Sequence, residues 1–301
     1  MKEKGDVAKS AITNLFSRRE PLPEEVADAL ERLGQLAESS PALRDAAAIQ
    51  GIILRIVYEQ PPRAGQLSMA QARAAEKLYA GEPLLRGEEL QLDIPAVEAT
   101  ILRLCQAIGK HVEDPNDAAT IAAAIARREL VVATFVRQAL DGETAAIREQ
   151  AAELDLNGDL LSTLLRFSLF PALTQLSAEL ARLRGAAAWA QGYCPNCGGW
   201  PLLGEHRGLE QLRYLRCGLC AAEWQVDRLL CPFCGTREHT DLSYLHVEGA
   251  DHERAVTCEQ CHRYLKVLAS LAPLTPLDLV VRDLATLHLD MIALERGYAT
   301  A

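Results

Sequence analysis

Eight of the nine cysteines in this chain fall in four Cys-x-x-Cys pairs within 68 residues: Cys194/Cys197, Cys217/Cys220, Cys231/Cys234 and Cys258/Cys261. The gaps between successive pairs are 19, 10 and 23 residues. Two thiolates separated by two residues make a tight knuckle, and two knuckles across a short hairpin place four sulfurs around one tetrahedral metal ion. Four pairs therefore point to two closed tetrathiolate sites.

The 301 residues are enough for two or three domains and a substantial core. No stretch reaches the roughly 18 uncharged apolar residues that a membrane helix needs, so no membrane insertion is expected. Met1 to Pro21 carries scattered charges, with no apolar region followed by a small-residue cleavage site and no twin arginine before an apolar segment. The reading is cytoplasmic, where reduced thiols favour metal ligation over disulfides. The formal charge is −10, and residues 191–270 hold ten acids against eight bases. A nucleic-acid binder needs a concentrated basic face to meet phosphates, so the balance favours a protein partner and no nucleic acid.

The chain has two halves of different texture. Residues 1 to about 188 are rich in Ala, Leu and Glu and read as a bundle-like domain of about six to eight helices. Ile49, Ile52, Ile53, Ile56 and Val57 recur at helical spacing, as do Ile121, Ile125, Val132, Phe135 and Val136 in the next long segment. That segment opens after Asp114-Pro115-Asn116-Asp117 and closes near Asp141-Gly142. Leu161, Leu164, Leu165 and Leu169 form a further stripe, continued by Leu173, Leu176 and Leu180 past Pro171, which should kink or divide the helix. From Gly192 to about Leu268 the chain turns rich in Cys, Gly and aromatics, with strand-like runs at Leu212 to Arg216 and Tyr264 to Leu268. Leu277, Val280, Val281, Leu284, Leu287, Met291 and Leu294 then define one apolar face of a closing helix. The expected architecture is α+β: a mostly helical domain over 1–188, two consecutive rubredoxin-like zinc ribbons over 189–228 and 229–270, and a C-terminal helix within 271–301 that packs back.

The first knuckle reads Cys194-Pro195-Asn196-Cys197-Gly198 and the third Cys231-Pro232-Phe233-Cys234-Gly235. Proline between the ligands fixes one torsion, and glycine after the second ligand accepts the positive φ of a turn that aims N–H groups at sulfur. Such groups offset the charge of about −2 that four thiolates leave around a divalent ion. The order of motifs is that of two ribbons in series. Cys194, Cys197, Cys217 and Cys220 form one site, and Cys231, Cys234, Cys258 and Cys261 the other, with an interleaved grouping as the alternative. Zinc and iron both suit four sulfurs, and spacing does not separate them. A closed site leaves no open coordination position, so its ordinary use is to staple a small domain rather than to catalyse. Metal-bound or metal-free thiols passing electrons remain the competing use.

Smaller signals have plainer readings. Cys105 sits in an apolar run and reads as a buried small hydrophobe. His206, His239, His246, His252 and His262 crowd the cysteine region, yet eight cysteines already complete two tetrahedra. Asp155-Leu156-Asn157-Gly158-Asp159 lacks the spacing of a calcium loop and reads as a helix cap. No nucleophile–base pattern or phosphate loop stands out, so neither enzymatic activity nor a small-molecule substrate is expected.

The knuckles and their surroundings resemble the formate dehydrogenase accessory family, FdhE. The resemblance rests on Cys194 to Gly198 with Pro201, Tyr214-Leu215-Arg216-Cys217-Gly218-Leu219-Cys220-Ala221-Ala222-Glu223-Trp224, Cys231 to Gly235, Thr257-Cys258-Glu259-Gln260-Cys261, and Tyr264-Leu265-Lys266. The stretches Asp283 to Asp290 and Glu295 to Tyr298 continue it, so that about a third of the chain takes part. The chain departs from the family at Gly199, where serine is expected, at Val256, where glutamate is common, and at His262, where glycine is common. The resemblance implies a cytoplasmic assembly factor, not an enzyme, that acts on the catalytic subunit of formate dehydrogenase. A rubredoxin-like or thiol-based redox protein is the alternative.

Overall fold

The computed structural model describes residues 22–65, 67–109, 111, 116–185, 187–247, 249–250 and 252–300. The readings of Met1 to Pro21 and of Asp114-Pro115 fall outside the described residues.

Eight α-helices make up the first half of the described chain. They are α1 (Glu24–Ser39), α2 (Arg44–Glu59), α3 (Gln71–Tyr79), α4 (Ile94–Ile108), α5 (Asn116–Ala126), α6 (Val132–Asp141), α7 (Thr144–Glu153) and α8 (Gly158–Arg184). The 27-residue α8 is the axis of the bundle, touching every helix from α2 to α7. Between Leu161 and Leu173 its apolar residues are accordingly buried on all sides, Phe167, Phe170 and Ala172 as well as the expected leucines. Pro171 lies inside this helix without dividing it. A proline there forfeits one backbone hydrogen bond at roughly 3 kcal/mol, a cost the all-round burial of α8 offsets. The stripe from Ile121 to Val136 is buried as expected but spans two helices, because Arg128 turns the chain at φ 59° between α5 and α6. Gly142, at φ 76°, closes α6. Asn157 caps α8 by accepting from the Leu160 N–H at 3.0 Å, the role read for that segment.

The second half is built on six strands: β1 (Pro201–Arg207), β2 (Leu212–Cys217), β3 (Glu223–Val226), β4 (Leu242–Leu245), β5 (Glu253–Cys258) and β6 (Arg263–Ser270). β1, β2 and β3 form one antiparallel meander and β4, β5 and β6 another. The two ribbons join edge to edge. β1 pairs parallel to β6, from Leu203 beside Lys266 to Arg207 beside Ser270, giving one sheet in the order β3-β2-β1-β6-β5-β4.

The closing segment holds two helices, α9 (Pro276–Ala285) and α10 (Leu287–Glu295), which meet at Thr286. α9 starts from a capping box in which Thr275 and Asp278 exchange hydrogen bonds. It packs on α1 and β1, with an Arg32–Asp278 ion pair, while α10 packs on β4, β5 and β6. The break at Thr286 splits the expected apolar face. Leu277, Val280 and Val281 are buried, but Leu287, Met291 and Leu294 face solvent, and α10 buries Leu289 and Ala293 instead.

Candidate metal centres

All four knuckles share one backbone turn. The N–H of the residue after the second cysteine donates to the carbonyl of the first: Gly198 to Cys194 at 2.9 Å, Ala221 to Cys217 at 3.2 Å, Gly235 to Cys231 at 2.9 Å and His262 to Cys258 at 2.9 Å. Each of those residues has positive φ, at 80°, 55°, 79° and 51° in the same order. Glycine marks the turn in two knuckles; in the others alanine and histidine adopt the left-handed conformation against the Cβ penalty.

The sulfurs gather in the sequential grouping, which excludes the interleaved one. Cys194, Cys197, Cys217 and Cys220 form one group and Cys231, Cys234, Cys258 and Cys261 the other, with the sulfurs of each group all within 4.8 Å of one another. In the first, Sγ–Sγ separations are 3.7 Å for Cys194–Cys220, 3.4 Å for Cys197–Cys217 and 3.5 Å for Cys197–Cys220. In the second, Cys231–Cys261 is 3.7 Å and Cys234–Cys258 is 3.6 Å. A metal–sulfur bond of about 2.3 Å in a tetrahedron puts its ligands ~3.8 Å apart, so each group could hold one ion. Backbone N–H groups also point at sulfur: Asn196 at Cys194 (3.4 Å), Gly199 at Cys197 (3.4 Å) and Leu219 at Cys217 (3.3 Å). Gly199 fits because a Cβ there would come within 3.2 Å of the Cys217 sulfur.

Thiols this close do not all ionise unaided. Hydrogen bonding with Cys194 holds the Cys197 and Cys220 thiols well above the ordinary range. Burial works upward at Cys217 too, but hydrogen bonds with Cys194, Cys197 and Cys220 outweigh it and hold that thiol well below. A divalent ion held by Cys194, Cys197, Cys217 and Cys220 would replace the shared protons and satisfy all four sulfurs together.

The helical half grips the first group. Leu84 and Leu85 donate backbone N–H bonds to Pro195 and Asn196 at 2.9 and 2.8 Å, and the Tyr193 hydroxyl donates to Gly81 O at 2.8 Å. The buried Asn196 amide reaches Ser177 Oγ on α8 at 3.0 Å, and Arg166 Nε donates to Gly218 O at 2.8 Å. The second group leans on the first. Gly192 lies so close to Pro232 that a Cβ would fall 1.7 Å from its carbonyl oxygen, and the Trp200 and Phe233 rings stand 5.7 Å apart. A cleft of about 560 Å³ opens where α7, α8, both ribbons and α10 meet, lined among others by Arg166, Trp200, Leu219, Phe233, Lys266 and Leu294.

Charged side chains buried in the sheet carried no local sequence signal. Glu205 is fully buried in β1, where it accepts from Arg207, from Arg216 at 2.5 Å, from Ser270 Oγ at 2.9 Å and from the Leu274 N–H at 3.1 Å. Burial pushes its carboxyl upward, yet the two guanidinium groups prevail and hold it below the usual value. Lys266 sits between Asp283 and Asp290 at 2.7 and 2.6 Å. Arg213 donates to Leu230 O at 2.8 Å and Arg228 O at 3.2 Å, pinning the chain just before Cys231, and burial lowers its pKa to about 10.

Among the histidines, His239, His246, His252 and His262 are exposed, and His288 lies 3.2 Å from Glu253. His206 is buried in β1, its pKa pushed down to about 4 by burial and then by Arg213, Arg228 and Arg254. Neither sulfur group includes a histidine. Cys105 is buried in α4, and burial raises its thiol to about 11.

Comparison with known proteins agrees with this architecture. The profile of "FdhE, central domain" matches residues 193–228 and that of "FdhE, C-terminal domain" residues 229–301. A protein of Stutzerimonas stutzeri named "Protein FdhE homolog" is 33% identical over 278 residues, covering 89% of this chain and 84% of that one. "Protein FdhE" of Escherichia coli is 34% identical over 145 residues, 44% of each chain. The crystal structure of the FdhE protein from Pseudomonas aeruginosa superposes with a TM-score of 0.58 at 29% identity, covering 93% of this chain and 95% of that one. No helix among the described residues is long and apolar enough to cross a membrane.

Proposed function

The chain belongs to the FdhE family, and on that premise we propose that it is a cytoplasmic accessory factor for the maturation of formate dehydrogenase. It acts on the catalytic subunit of that enzyme and catalyses no reaction of its own. The observation that carries this reading is the pair of four-sulfur groups fused on one sheet and held against the helical half, within a chain that matches FdhE relatives along most of its length.

In this reading Cys194, Cys197, Cys217 and Cys220 hold one divalent ion and Cys231, Cys234, Cys258 and Cys261 another, zinc or iron. Zinc would supply shape alone, whereas iron would add a one-electron couple. Four protein ligands leave no position for substrate, so each ion shapes a docking surface. The working parts are a helical body over 1–188, ribbon modules over 189–228 and 229–270, and a closing segment over 271–301. The cleft at their junction places groups from both ribbons and both halves where a partner can meet them.

The test is genetic. Deleting the gene in its own host should abolish formate dehydrogenase activity, and a plasmid copy should restore it. A Cys197→Ser copy should not. Unchanged activity in the deletion strain, with no second copy of the gene present, would overturn the reading.

A further inference from the structure

The two sulfur groups have the same ligand set, similar sulfur spacing and the same knuckle turn, yet they differ in access. In the first, Cys194, Cys197 and Cys217 are 0% exposed and Cys220 is 1% exposed. Residues 84–85 and α8 close over it through the hydrogen bonds to Pro195, Asn196 and Gly218. In the second, Cys231 and Cys258 are buried, but Cys234 is exposed and Cys261 half-buried. The Oε1 of the exposed Gln260 stands 3.6 Å from the Cys234 sulfur.

Access decides how a closed tetrathiolate ion can react. An incoming ligand must reach the ion, and the displaced sulfur must have somewhere to go. A buried ligand set offers neither without local unfolding, whereas a ligand open to solvent offers both. We propose that the second centre is an exchangeable metal site, at which an incoming soft donor displaces Cys234 while the first centre keeps its ion. The substitution is balanced as it stands. A bond forms from the ion to the incoming donor, the bond from the ion to Cys234 Sγ breaks, and the sulfur leaves with its electron pair as a thiolate that water can protonate. The oxidation state of the metal does not change. The donor is of thiolate type, supplied either by a small thiol or by a cysteine pair on a protein.

This inference rests on the metal-bearing reading above, and one experiment separates the two. Elemental analysis of the purified full-length protein comes first: fewer than two ions per chain would defeat the reading itself. With two ions present, release to an excess of 4-(2-pyridylazo)resorcinol is followed while N-ethylmaleimide traps freed thiols for peptide mapping. The expected result is one ion leaving at least roughly tenfold faster than the other, with Cys234 labelled first, Cys261 next and the first-centre cysteines unlabelled during the fast phase. In parallel runs without N-ethylmaleimide, glutathione and a synthetic Cys-x-x-Cys peptide at equal thiol concentration distinguish the two donor sources. A fast phase with either supports the proposal, and the more efficient one identifies the source. Both ions leaving in a single phase, or first labelling at Cys194, Cys197, Cys217 or Cys220, would overturn it. Cys234→Ser should remove the fast phase and keep the slow ion, and the wild-type trace decides if that variant does not fold.

Discussion

The helical half and the sheet half are held together by different means. Among the described residues the helical half buries one ionisable side chain besides Cys105, namely Lys77, which reaches Glu88 at 2.9 Å. The sheet half buries Glu205, His206, Arg213, Arg216 and Lys266 together with most of the eight knuckle sulfurs. A bundle with a 27-residue central helix can satisfy its backbone internally and gains stability from packing alone. Short strands of four to eight residues cannot. They are stapled by sulfur and by ion pairs that tolerate little change, because removing one partner strands the other in a dry interior. The halves nevertheless share one continuous apolar core from Val26 to Val281, so damage to the staples should travel.

The sharpest test of that link is Cys197→Ser. Losing the ion from the proposed first centre forfeits folding energy on the order of 10 kcal/mol. All three tryptophans, Trp189, Trp200 and Trp224, lie outside the helical bundle, so their emission reports the sheet half while circular dichroism reports the helices. Both should melt together and earlier in Cys197→Ser, and Cys258→Ser should do less harm to the helices. Separate transitions in the wild-type protein would break the idea of a shared core.

Single charges and single leucines should rank next. Glu205→Gln leaves Arg207 and Arg216 without their buried counter-charge and should cost about 3–5 kcal/mol in urea unfolding. Leu164→Ala in α8 should cost about 2–5 kcal/mol through the cavity it opens. Equal damage from Glu205→Gln and from a change at an exposed pair such as Arg127–Glu129 would remove the distinction between the halves.

Acid should act on the sheet half in two stages. His206 is neutral in the fold, with its pKa depressed from 6.5 to about 4. The unfolded chain therefore binds the extra proton first, and stability falls as pH drops from 6.5 towards 4. Glu205, depressed below 4.5, contributes stability that is full above that value and lost as pH falls through its folded pKa. Melting temperatures across this range should show both slopes, and His206→Gln should flatten the upper one. A flat wild-type profile between pH 6.5 and 4.5 would contradict the burial of His206.

The smallest effect belongs to the turn residues that follow the knuckle cysteines. His262 and Ala221 hold positive φ without being glycine, so His262→Gly should leave stability unchanged or raise it by up to about 1 kcal/mol. A clear loss would mean that the imidazole makes a contact worth more than the strain, its ring lying 6.3 Å from that of Tyr298.

What could be read from the sequence follows the range of the interactions involved. The knuckles, their pairing, the positive φ of Gly198 and Gly235 and the helical stripes are local, and local spacing displays them. The breaks at Arg128 and Thr286 escaped because neither residue is a usual breaker and the apolar rhythm runs through both. Pro171 leaves α8 undivided because burial on every side outweighs the local cost of the proline. The ionic network of Glu205 and the exposure of Cys234 depend on residues far apart in the chain, and no window of sequence contains them.

The parallel seam between β1 and β6 also has a consequence for how the protein is made. β1 leaves the ribosome some 60 residues before β6, so a nascent first ribbon carries an unpaired edge until the second is complete. Bare edges of this kind recruit other strands, and pairings between distant segments form slowly. Synthesis that stalls between residues 220 and 263 would therefore leave a chain with its first four sulfurs already made and its sheet still open on one side. The interval most open to mispairing comes while the chain is still being made, before its own second ribbon exists to cover the first.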